Sequence, residues 1–235
     1  MTRLGIITIG QAPRPDLTPE VAALLPGVDI VERGVLDGLT ADEIAAHPPA
    51  AGDHALTTRL ADGSSVVIGE SFVLTRLPGV IAGLEPEVDA VLLGCTGGFP
   101  ALEHTKPLFV PDRMIALGAA ALSGDAGTVG VICPLEEQRQ DTVRKFSRYL
   151  SAGARVLTGV CSPYTGTPGE LADAARGLAA RGAGVLALDC IGYTEQMRAR
   201  AAAATGLPVV LARSVSARIA AEALDSSRAW TEGAA

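Results

Sequence analysis

The sequence lacks long apolar runs, clusters of positive charge and a secretion signal, and each absence excludes a class of protein. No run reaches the roughly 18 apolar residues that a membrane helix needs, so we expect no membrane partner. The chain has 19 Lys and Arg against 26 Asp and Glu, a net charge of −7, without a basic cluster. Such a chain repels a phosphate backbone, so we expect no nucleic acid partner. The missing signal peptide predicts a cytoplasmic protein.

Cysteine and histidine are scarce as well. None of the four cysteines belongs to a C-x-x-C pair, which in a cytoplasmic chain predicts free thiols. The three histidines stand at no metal-ligand spacing, so we expect no metal site. The sequence has neither G-x-G-x-x-G nor a P-loop motif, which argues against a nucleotide. The residues in question are Cys95, Cys133, Cys161, Cys190, His47, His54 and His104.

What the chain does contain is apolar sequence cut by many turns. Hydrophobic residues make up 48% of its 235 residues, with 27 glycines and 15 prolines. Short apolar runs alternate with helical patterns, which is typical of an α/β fold with parallel sheets. The first buried strand is predicted at Leu4–Ile9, followed by a helix with Thr18 as N-cap. The last helix is predicted at Ser214–Leu224, with Ser214 as its N-cap.

The first half carries an additional β-hairpin. Asp62-Gly63 is a strong two-residue turn signal, and it predicts strands at Ala55–Leu60 and Val66–Val73. The helical pattern that follows is expected to break at Pro78. The second half has no equivalent of this segment.

A repeat relates the two halves of the chain. Leu93-Gly94-Cys95-Thr96-Gly97 in the first half matches Leu188-Asp189-Cys190-Ile191-Gly192 in the second. Each is an apolar strand followed by Cys-x-Gly, at the carboxyl edge where open α/β sheets bind ligands. The repeat predicts two pseudo-symmetric lobes that direct two thiols into one cleft.

The repeat separates Cys95 and Cys190 from the other two cysteines. A single cysteine is more often a small buried hydrophobe than a catalyst. We interpret Cys133 and Cys161, which lack the following x-Gly, in that way. In the matched pair, backbone N–H groups near the glycines are expected to face the sulfurs and lower their pKa.

Two loops supply further candidates. The first strand leads into Gly10-Gln11-Ala12-Pro13-Arg14-Pro15-Asp16, in which two prolines fix the direction of Arg14. That guanidinium either binds a ligand carboxylate or forms a surface ion pair with Asp16, and both interpretations stay open. In the second half, Glu136 stands at a helix start, where it matches the dipole or contacts a ligand amine.

These segments resemble the AroM-like proteins. The resemblance rests on the T-I-G-Q-x-P-R-x-D pattern within Leu4–Asp16, the Asp62-Gly63 hairpin, the Cys133-Pro134-Leu135-Glu136-Glu137-Gln138 segment and Leu188–Gly192. AroM-like proteins are similar to the aspartate/glutamate/hydantoin racemase superfamily. The resemblance implies two Rossmann-like lobes, chemistry without a cofactor, and one catalytic cysteine per lobe. It also implies that the last elements return to the first lobe, which gives residues 1–122 with 207–235 as one lobe and residues 123–206 as the other.

The leading hypothesis is therefore a racemase or epimerase that uses Cys95 and Cys190 on a small carboxylate. The alternatives are a decarboxylase or cis–trans isomerase of the same superfamily, or a non-catalytic sensor. A homodimer is the expected assembly, because it is the commonest one. The expected substrate-binding residues are Gly10, Gln11, Arg14, Thr96, Gly97, Glu136, Ile191, Gly192 and Tyr193.

Overall fold

The computed structural model describes residues 1–125 and 127–232, with side chains described up to residue 225. Its strands are β1 (Thr2–Thr8), β2 (Val28–Gly34), β3 (Ala55–Arg59), β4 (Ser65–Gly69), β5 (Ala90–Gly94), β6 (Leu108–Phe109), β7 (Thr128–Cys133), β8 (Arg155–Val160), β9 (Val185–Leu188) and β10 (Val209–Leu211). Its helices are α1 (Thr18–Ala22), α2 (Ala41–Ala45), α3 (Glu70–Leu84), α4 (Pro111–Ser123), α5 (Arg139–Ser147), α6 (Pro168–Ala180), α7 (Glu195–Thr205) and α8 (Ala212–Glu232). None of the helices in the described part is long and apolar enough to cross a membrane.

Two four-stranded parallel sheets form the two lobes. The first has the order β2-β1-β5-β6 and the second β10-β9-β7-β8. Read from its other edge, the second sheet repeats the first, so that β7, β8, β9 and β10 correspond to β1, β2, β5 and β6. The α/β architecture and the pseudo-symmetry predicted from the repeat are thus confirmed.

Each sheet is covered on both faces, which explains the continuous apolar runs of its inner strands. Alternate residues of β5 point to opposite sides. Ala90 and Leu92 pack in a cluster with α1 and α8, whereas Val91 and Leu93 pack in another with α3 and the hairpin. The second sheet is enclosed in the same way by α4 on one face and by α6 and α7 on the other.

The lobes exchange one helix each. Helix α4 follows the first sheet, but its Ile115 and Ala119 pack with Val129 and Val185 of the second. Helix α8 follows the second sheet and places Ala217 and Ala220 in the core of the first. Strand β10 pairs with β9, so within the segment 207–235 it is α8 that returns to the first lobe. The division into residues 1–122 with 207–235 and residues 123–206 stays a prediction. The packing of α4 and the pairing of β10 place both of these elements with the second sheet.

The hairpin is present as strands β3 and β4, in antiparallel register from Ala55 opposite Gly69 to Arg59 opposite Ser65. The prediction that its second strand reaches Val73 is wrong, because α3 begins at Glu70. Helix α3 also continues through Pro78 instead of breaking there. Its fully buried face, Val73, Leu77, Ile81 and Leu84, recurs at three- and four-residue spacing and outweighs the one lost hydrogen bond.

Two predicted helix caps are also wrong. Leu17, not Thr18, precedes the first turn of α1. Helix α8 begins at Ala212, directly after β10, so Ser214 lies inside it and donates to the Leu211 carbonyl at 3.4 Å. Cap residues are short polar types that also occur within the first turn, so sequence placed these two boundaries one or two residues late.

The first loop depends on close contact between Gly10 and the hairpin. A Cβ atom at Gly10 would lie 2.1 Å from the Arg59 carbonyl oxygen and 2.5 Å from Thr58 Oγ1. Gly10→Ala must therefore push β3 away, and we expect a loss of roughly 1–3 kcal/mol in the free energy of unfolding. Urea denaturation measures it.

Gly177→Ala is the matched control for that variant. Gly177 lies within α6 with open space around it. An alanine there should stabilise the protein by about 0.5–1 kcal/mol. Equal effects of the two substitutions would contradict the close approach at Gly10.

Candidate active site

The two matched cysteines line one cavity between the lobes. Cys95 follows β5, and Cys190 lies two residues after β9, so both stand at the carboxyl ends of parallel strands. The cavity has a volume of about 190 Å³, which suits a small metabolite. Loops after strands of different sheets can meet in this way because the two carboxyl edges face each other.

Each sulfur receives a backbone hydrogen bond from the glycine two residues on. The N–H of Gly97 donates to Cys95 Sγ at 3.3 Å, and that of Gly192 donates to Cys190 Sγ at 3.4 Å. The expected lowering of the thiol pKa is nevertheless wrong. Burial raises the pKa of Cys95 to about 12 despite the Gly97 N–H, and the nearby Cys190 adds to the rise. Burial likewise raises the pKa of Cys190.

The two thiols have different surroundings. Behind Cys190 lies Tyr164, whose hydroxyl accepts from Arg14 at 3.4 Å. Against the dominant effect of burial, Arg14 and a hydrogen bond from Tyr164 both lower the pKa of Cys190. Cys95 instead faces Lys145, which lowers its pKa, and Glu70, which raises it.

Lys145 of α5 connects the residues beside both cysteines. Its Nζ donates to the Thr96 carbonyl at 2.8 Å and to Asp189 Oδ1 at 2.6 Å. Thr96 Oγ1 donates to the Asp189 carbonyl at 3.2 Å. Because Thr96 follows Cys95 and Asp189 precedes Cys190, one buried ammonium fixes the two thiol loops relative to each other.

The hairpin and α5 close the cavity from opposite lobes. Gln138 donates to the Ala55 carbonyl at 2.8 Å, and His54 Nδ1 lies 2.5 Å from Asp141 Oδ2. The hairpin, which only the first half carries, is therefore a wall of the cavity. Glu70, the first residue of the following helix, also lines it.

Four of the predicted site residues line the cavity and seven do not. Those that line it are Cys95, Thr96, Gly97 and Cys190. Those outside its lining are Gly10, Gln11, Arg14, Glu136, Ile191, Gly192 and Tyr193. Most of the second group shape the loops that carry the first.

Arg14 is buried rather than exposed, with 1% of its surface accessible. Both arms of its fork bind Asp16 at 2.8 Å, and Nη1 donates to Thr8 Oγ1 at 2.8 Å. The bidentate partner is thus a carboxylate of the chain itself, and the geometry gives no support to a ligand carboxylate there. A surface ion pair does not describe it either, because the guanidinium lies in the interior under Tyr164.

Gly10 and Gln11 attach the hairpin to the first loop. The amide of Gln11 donates to the carbonyls of Leu36 and Leu39, and its oxygen accepts from the N–H of Ala61. Glu136 is exposed and pairs with Arg139 at 2.5 Å. It lies two residues before Gln138, which does line the cavity.

The residues after Cys190 are fixed by packing. Ile191 inserts into the core of the first lobe, and the hydroxyl of the fully buried Tyr193 donates to the Cys161 carbonyl. Arg213 of α8, also buried, donates to the carbonyls of Ile191 and Gly192 at 3.1 and 3.3 Å. These contacts hold the Cys190 loop in place from behind.

Sequence reasoning missed several cavity residues, chiefly Lys145, Asp189, Glu70 and Arg148. Asp189 directly precedes Cys190 in the sequence, so its position beside the thiol was available as a signal. No motif marks Lys145 or Arg148 in the sequence, and Glu70 falls within Val66–Val73, which is predicted as a strand. His54, for which the sequence suggests no role, lines the cavity as well.

The remaining cysteines lie apart from the cavity. Cys133 is fully buried, with its thiol 3.5 Å from the carbonyls of Leu135 and Gly159, and Cys161 is buried among the core of the second lobe. All four cysteines are free. Within residues 1–125 and 127–232, no group of three or more His, Cys, Asp and Glu is arranged to hold a metal ion.

Lys145→Met should be strongly destabilising. Lys145 and Asp189 are both buried, with 12% and 3% of their side chains exposed. Removal of the ammonium leaves Asp189 unpaired, so we expect a loss of roughly 3–5 kcal/mol in the free energy of unfolding. Lys145→Met combined with Asp189→Asn should recover part of it. A loss below about 1 kcal/mol, as for an exposed pair, would contradict the burial of this contact.

The pKa of Cys95 can be tested by alkylation. Thiolate is the reactive form, so iodoacetamide should modify Cys95 slowly at neutral pH and faster as the pH rises towards 12. Mass spectrometry follows each cysteine separately, with the urea-unfolded chain as control. A rate that levels off near the ordinary thiol pKa of about 8.5 would show that burial is not the dominant effect.

Solved structures with the same fold have several activities. Glutamate racemase isoform RacE1 from Bacillus anthracis has a TM-score of 0.61 at 14% identity, over 96% of this chain and 82% of its own. Maleate isomerase Iso from Pseudomonas putida S16 has a TM-score of 0.57 at 13% identity, over 95% of this chain and 93% of its own. Unliganded arylmalonate decarboxylase has a TM-score of 0.56 at 14% identity, over 92% of this chain and 89% of its own. At these identities the likeness shows the fold alone.

Sequence comparison identifies the family. No curated protein matches this chain by sequence. The family model of the AroM protein matches residues 4–224, which is nearly the whole chain. The chain therefore belongs to the AroM family, and it shares the fold of the racemase, isomerase and decarboxylase structures named above.

Proposed function

We propose that the protein is a cofactor-independent racemase or epimerase that acts on a small carboxylate. The observation that carries the proposal is that the sulfurs of Cys95 and Cys190 line one small cavity. They come from equivalent strands of two pseudo-symmetric lobes. Two acid–base groups on opposite sides of one ligand are what inversion at a carbon atom requires.

The reaction needs one thiolate and one thiol. The thiolate takes the proton from the carbon α to the carboxylate, and the electron pair of the broken C–H bond moves into the carboxylate as an enediolate. The opposite thiol then donates its proton to the other face of that carbon and becomes the thiolate. The product is the mirror configuration, and the two sulfurs have exchanged protonation states.

The site contains groups that can stabilise the thiolate and the enediolate. The N–H groups of Gly97 and Gly192 already donate to the sulfurs, and they would stabilise a thiolate at either one. Lys145 uses two of the three donors of its ammonium on Thr96 and Asp189. The third is available to the enediolate, because Lys145 also lines the cavity.

Burial sets a condition on this mechanism. Because burial raises the pKa of both thiols, the resting cavity holds two neutral thiols. A thiolate forms once a ligand brings positive charge or further hydrogen bonds. Each thiol already has one cation that opposes the effect of burial, Lys145 at Cys95 and Arg14 at Cys190.

The small carboxylate is the proposed partner, and the cytoplasm the proposed location, where the four free thiols stay reduced. A homodimer stays a prediction. Decarboxylation needs one thiol to protonate an enolate, and a sensor needs neither. The presence of both thiols in one cavity favours isomerisation over these alternatives.

Solvent deuterium exchange tests the proposal. The wild-type protein should incorporate deuterium at the α carbon of one compound in a panel of amino acids, hydantoins and small diacids, and interconvert its enantiomers. Cys95→Ala should abolish interconversion but still exchange the α proton of one enantiomer through Cys190. Cys190→Ala should exchange that of the other. Mass spectrometry and chiral chromatography read the two outcomes.

Cys133→Ala is the control, because this buried thiol lies outside the cavity and should leave exchange unchanged. Other patterns contradict the proposal in different ways. Loss of turnover in one cysteine variant and not in the other, with release of CO₂, indicates a decarboxylase. Binding without exchange in any variant indicates a sensor.

A further inference from the structure

The loop after β8 carries a tyrosine that the other lobe does not match. Strand β8 corresponds to β2, and the segment that follows β2, residues 35–40, contains no tyrosine. In the loop after β8, Ser162 Oγ accepts from the N–H groups of Tyr164 and Thr165 at 3.2 and 3.3 Å. The Ser162 carbonyl accepts from the N–H of Gly166 at 3.0 Å. These bonds form a tight turn that fixes the backbone of Tyr164.

The ring of Tyr164 lies against the loop of Cys190. A Cβ atom at Gly192 would lie 2.6 Å from the Tyr164 hydroxyl oxygen and 2.7 Å from its Cζ. Only a glycine therefore lets the phenol approach this backbone, whose N–H donates to Cys190 Sγ at 3.4 Å. At the matched Gly97, a Cβ atom would instead meet ring carbons of Phe99 at 3.2 Å. The two Cys-x-Gly loops thus face a hydroxyl in one lobe and apolar carbon in the other.

Two arginines also contact the phenol. Arg14 Nη2 donates to the hydroxyl oxygen of Tyr164 at 3.4 Å, and Asp16 holds the same nitrogen at 2.8 Å. The guanidinium of Arg59 lies over the ring, 5.0 Å from its centre. Burial raises the pKa of Tyr164, so the phenol keeps its proton. Because the oxygen accepts from Arg14, that proton is left to donate to another group.

We propose that Tyr164 is a positioning residue for Cys190, with its oxygen held by Arg14 and its one proton donated to the sulfur when that thiol ionises. A thiolate at Cys190 then accepts two hydrogen bonds, from the phenol and from the backbone N–H two residues on. Within residues 1–125 and 127–225, Cys95 Sγ accepts only from its backbone donor. The inference rests on the proposed function and deepens it, because the two proton transfers then depend on different side chains.

The groups that act on the sulfur of Cys190 agree with this role. The titratable and charged ones are Asp189, Cys95, Arg14, Tyr164 and Tyr193. Burial raises the pKa of Cys190 and Asp189 adds to the rise, whereas Arg14 and a hydrogen bond from Tyr164 lower it. Tyr193 donates its own proton to a backbone carbonyl, so Tyr164 is the phenol whose proton is available to the sulfur.

Alkylation tests the contact without any substrate. Iodoacetamide modifies Cys190 and Cys95 in one sample, and mass spectrometry follows each rate at several pH values. In Tyr164→Phe, the lost hydrogen bond should raise the pKa of Cys190 by roughly half to one unit. The rate at neutral pH should then fall roughly two- to fourfold, because a thiolate of higher pKa is also the better nucleophile. The rate of Cys95 should not change.

The sign of the effect separates this role from a structural one. A loosened loop would expose the sulfur and speed its modification, so a faster or unchanged rate at Cys190 overturns the assignment. Gly192→Ala displaces the phenol and should also slow Cys190 selectively, which decides the question if Tyr164→Phe does not fold. Tyr149→Phe is the control. Tyr149 packs in the core of the second lobe and outside the cavity lining, so both rates should stay as in the wild type.

Deuterium exchange separates this inference from the proposed function. Tyr164→Phe should slow the exchange that runs through Cys190, isolated in the Cys95→Ala background. It should leave the exchange that runs through Cys95, isolated in the Cys190→Ala background, unchanged. Slower alkylation of Cys190 without exchange in any variant retains the role of Tyr164 and rejects the racemase. Exchange that Tyr164→Phe leaves equal in both backgrounds, with unchanged alkylation, retains the racemase and rejects the role of Tyr164.

Discussion

The buried contact between Lys145, Asp189 and Thr96 holds the site together. Each lobe has its own core clusters, and each is completed by a helix that follows the other sheet. The relative position of the two sulfurs, however, depends on whether the loop after β5 and the loop after β9 are held in one geometry. A single ammonium bonded to both at 2.8 and 2.6 Å does this. Because the contact is buried, neither partner can be removed without an unpaired charge in the interior.

Further contacts around the cavity also join the two lobes. The exchange of α4 and α8 places the helix that follows each sheet against the other one. Arg213 at the start of α8 donates to the backbone that follows Cys190. The start of the hairpin contacts α5 and the residue before it, through the contacts of Gln138 with Ala55 and of His54 with Asp141. The first loop, residues 10–16, supports the Cys190 side of the cavity without lining it. Its Arg14 is satisfied by Asp16 and supports Tyr164 beneath Cys190, so it acts on the site through another residue.

The thiols show a competition between two physical effects. Backbone N–H groups two residues on stabilise a thiolate, as the Cys-x-Gly motif predicts, and both hydrogen bonds are present. Removal from water opposes them and is larger, so the pKa of each thiol lies above its ordinary value. The site therefore combines backbone donors aimed at both sulfurs with a burial that outweighs them.

The sequence by itself determined the fold class, the two-lobed repeat, the hairpin and the pair of cysteines, because these follow from local patterns: apolar runs, turn residues and a recurring Cys-x-Gly. Only the tertiary structure decided what surrounds the sulfurs. Lys145 stands 50 residues after Cys95 and 45 before Cys190, and nothing in its own helix marks it as a bridge. The sequence left Arg14 open between a ligand contact and an ion pair with Asp16, and the structure shows that pair to be buried. Glu70 was predicted within a strand and instead begins α3. Such roles depend on which partners are within reach and on how much water is excluded, and both quantities exist only once distant segments have packed together.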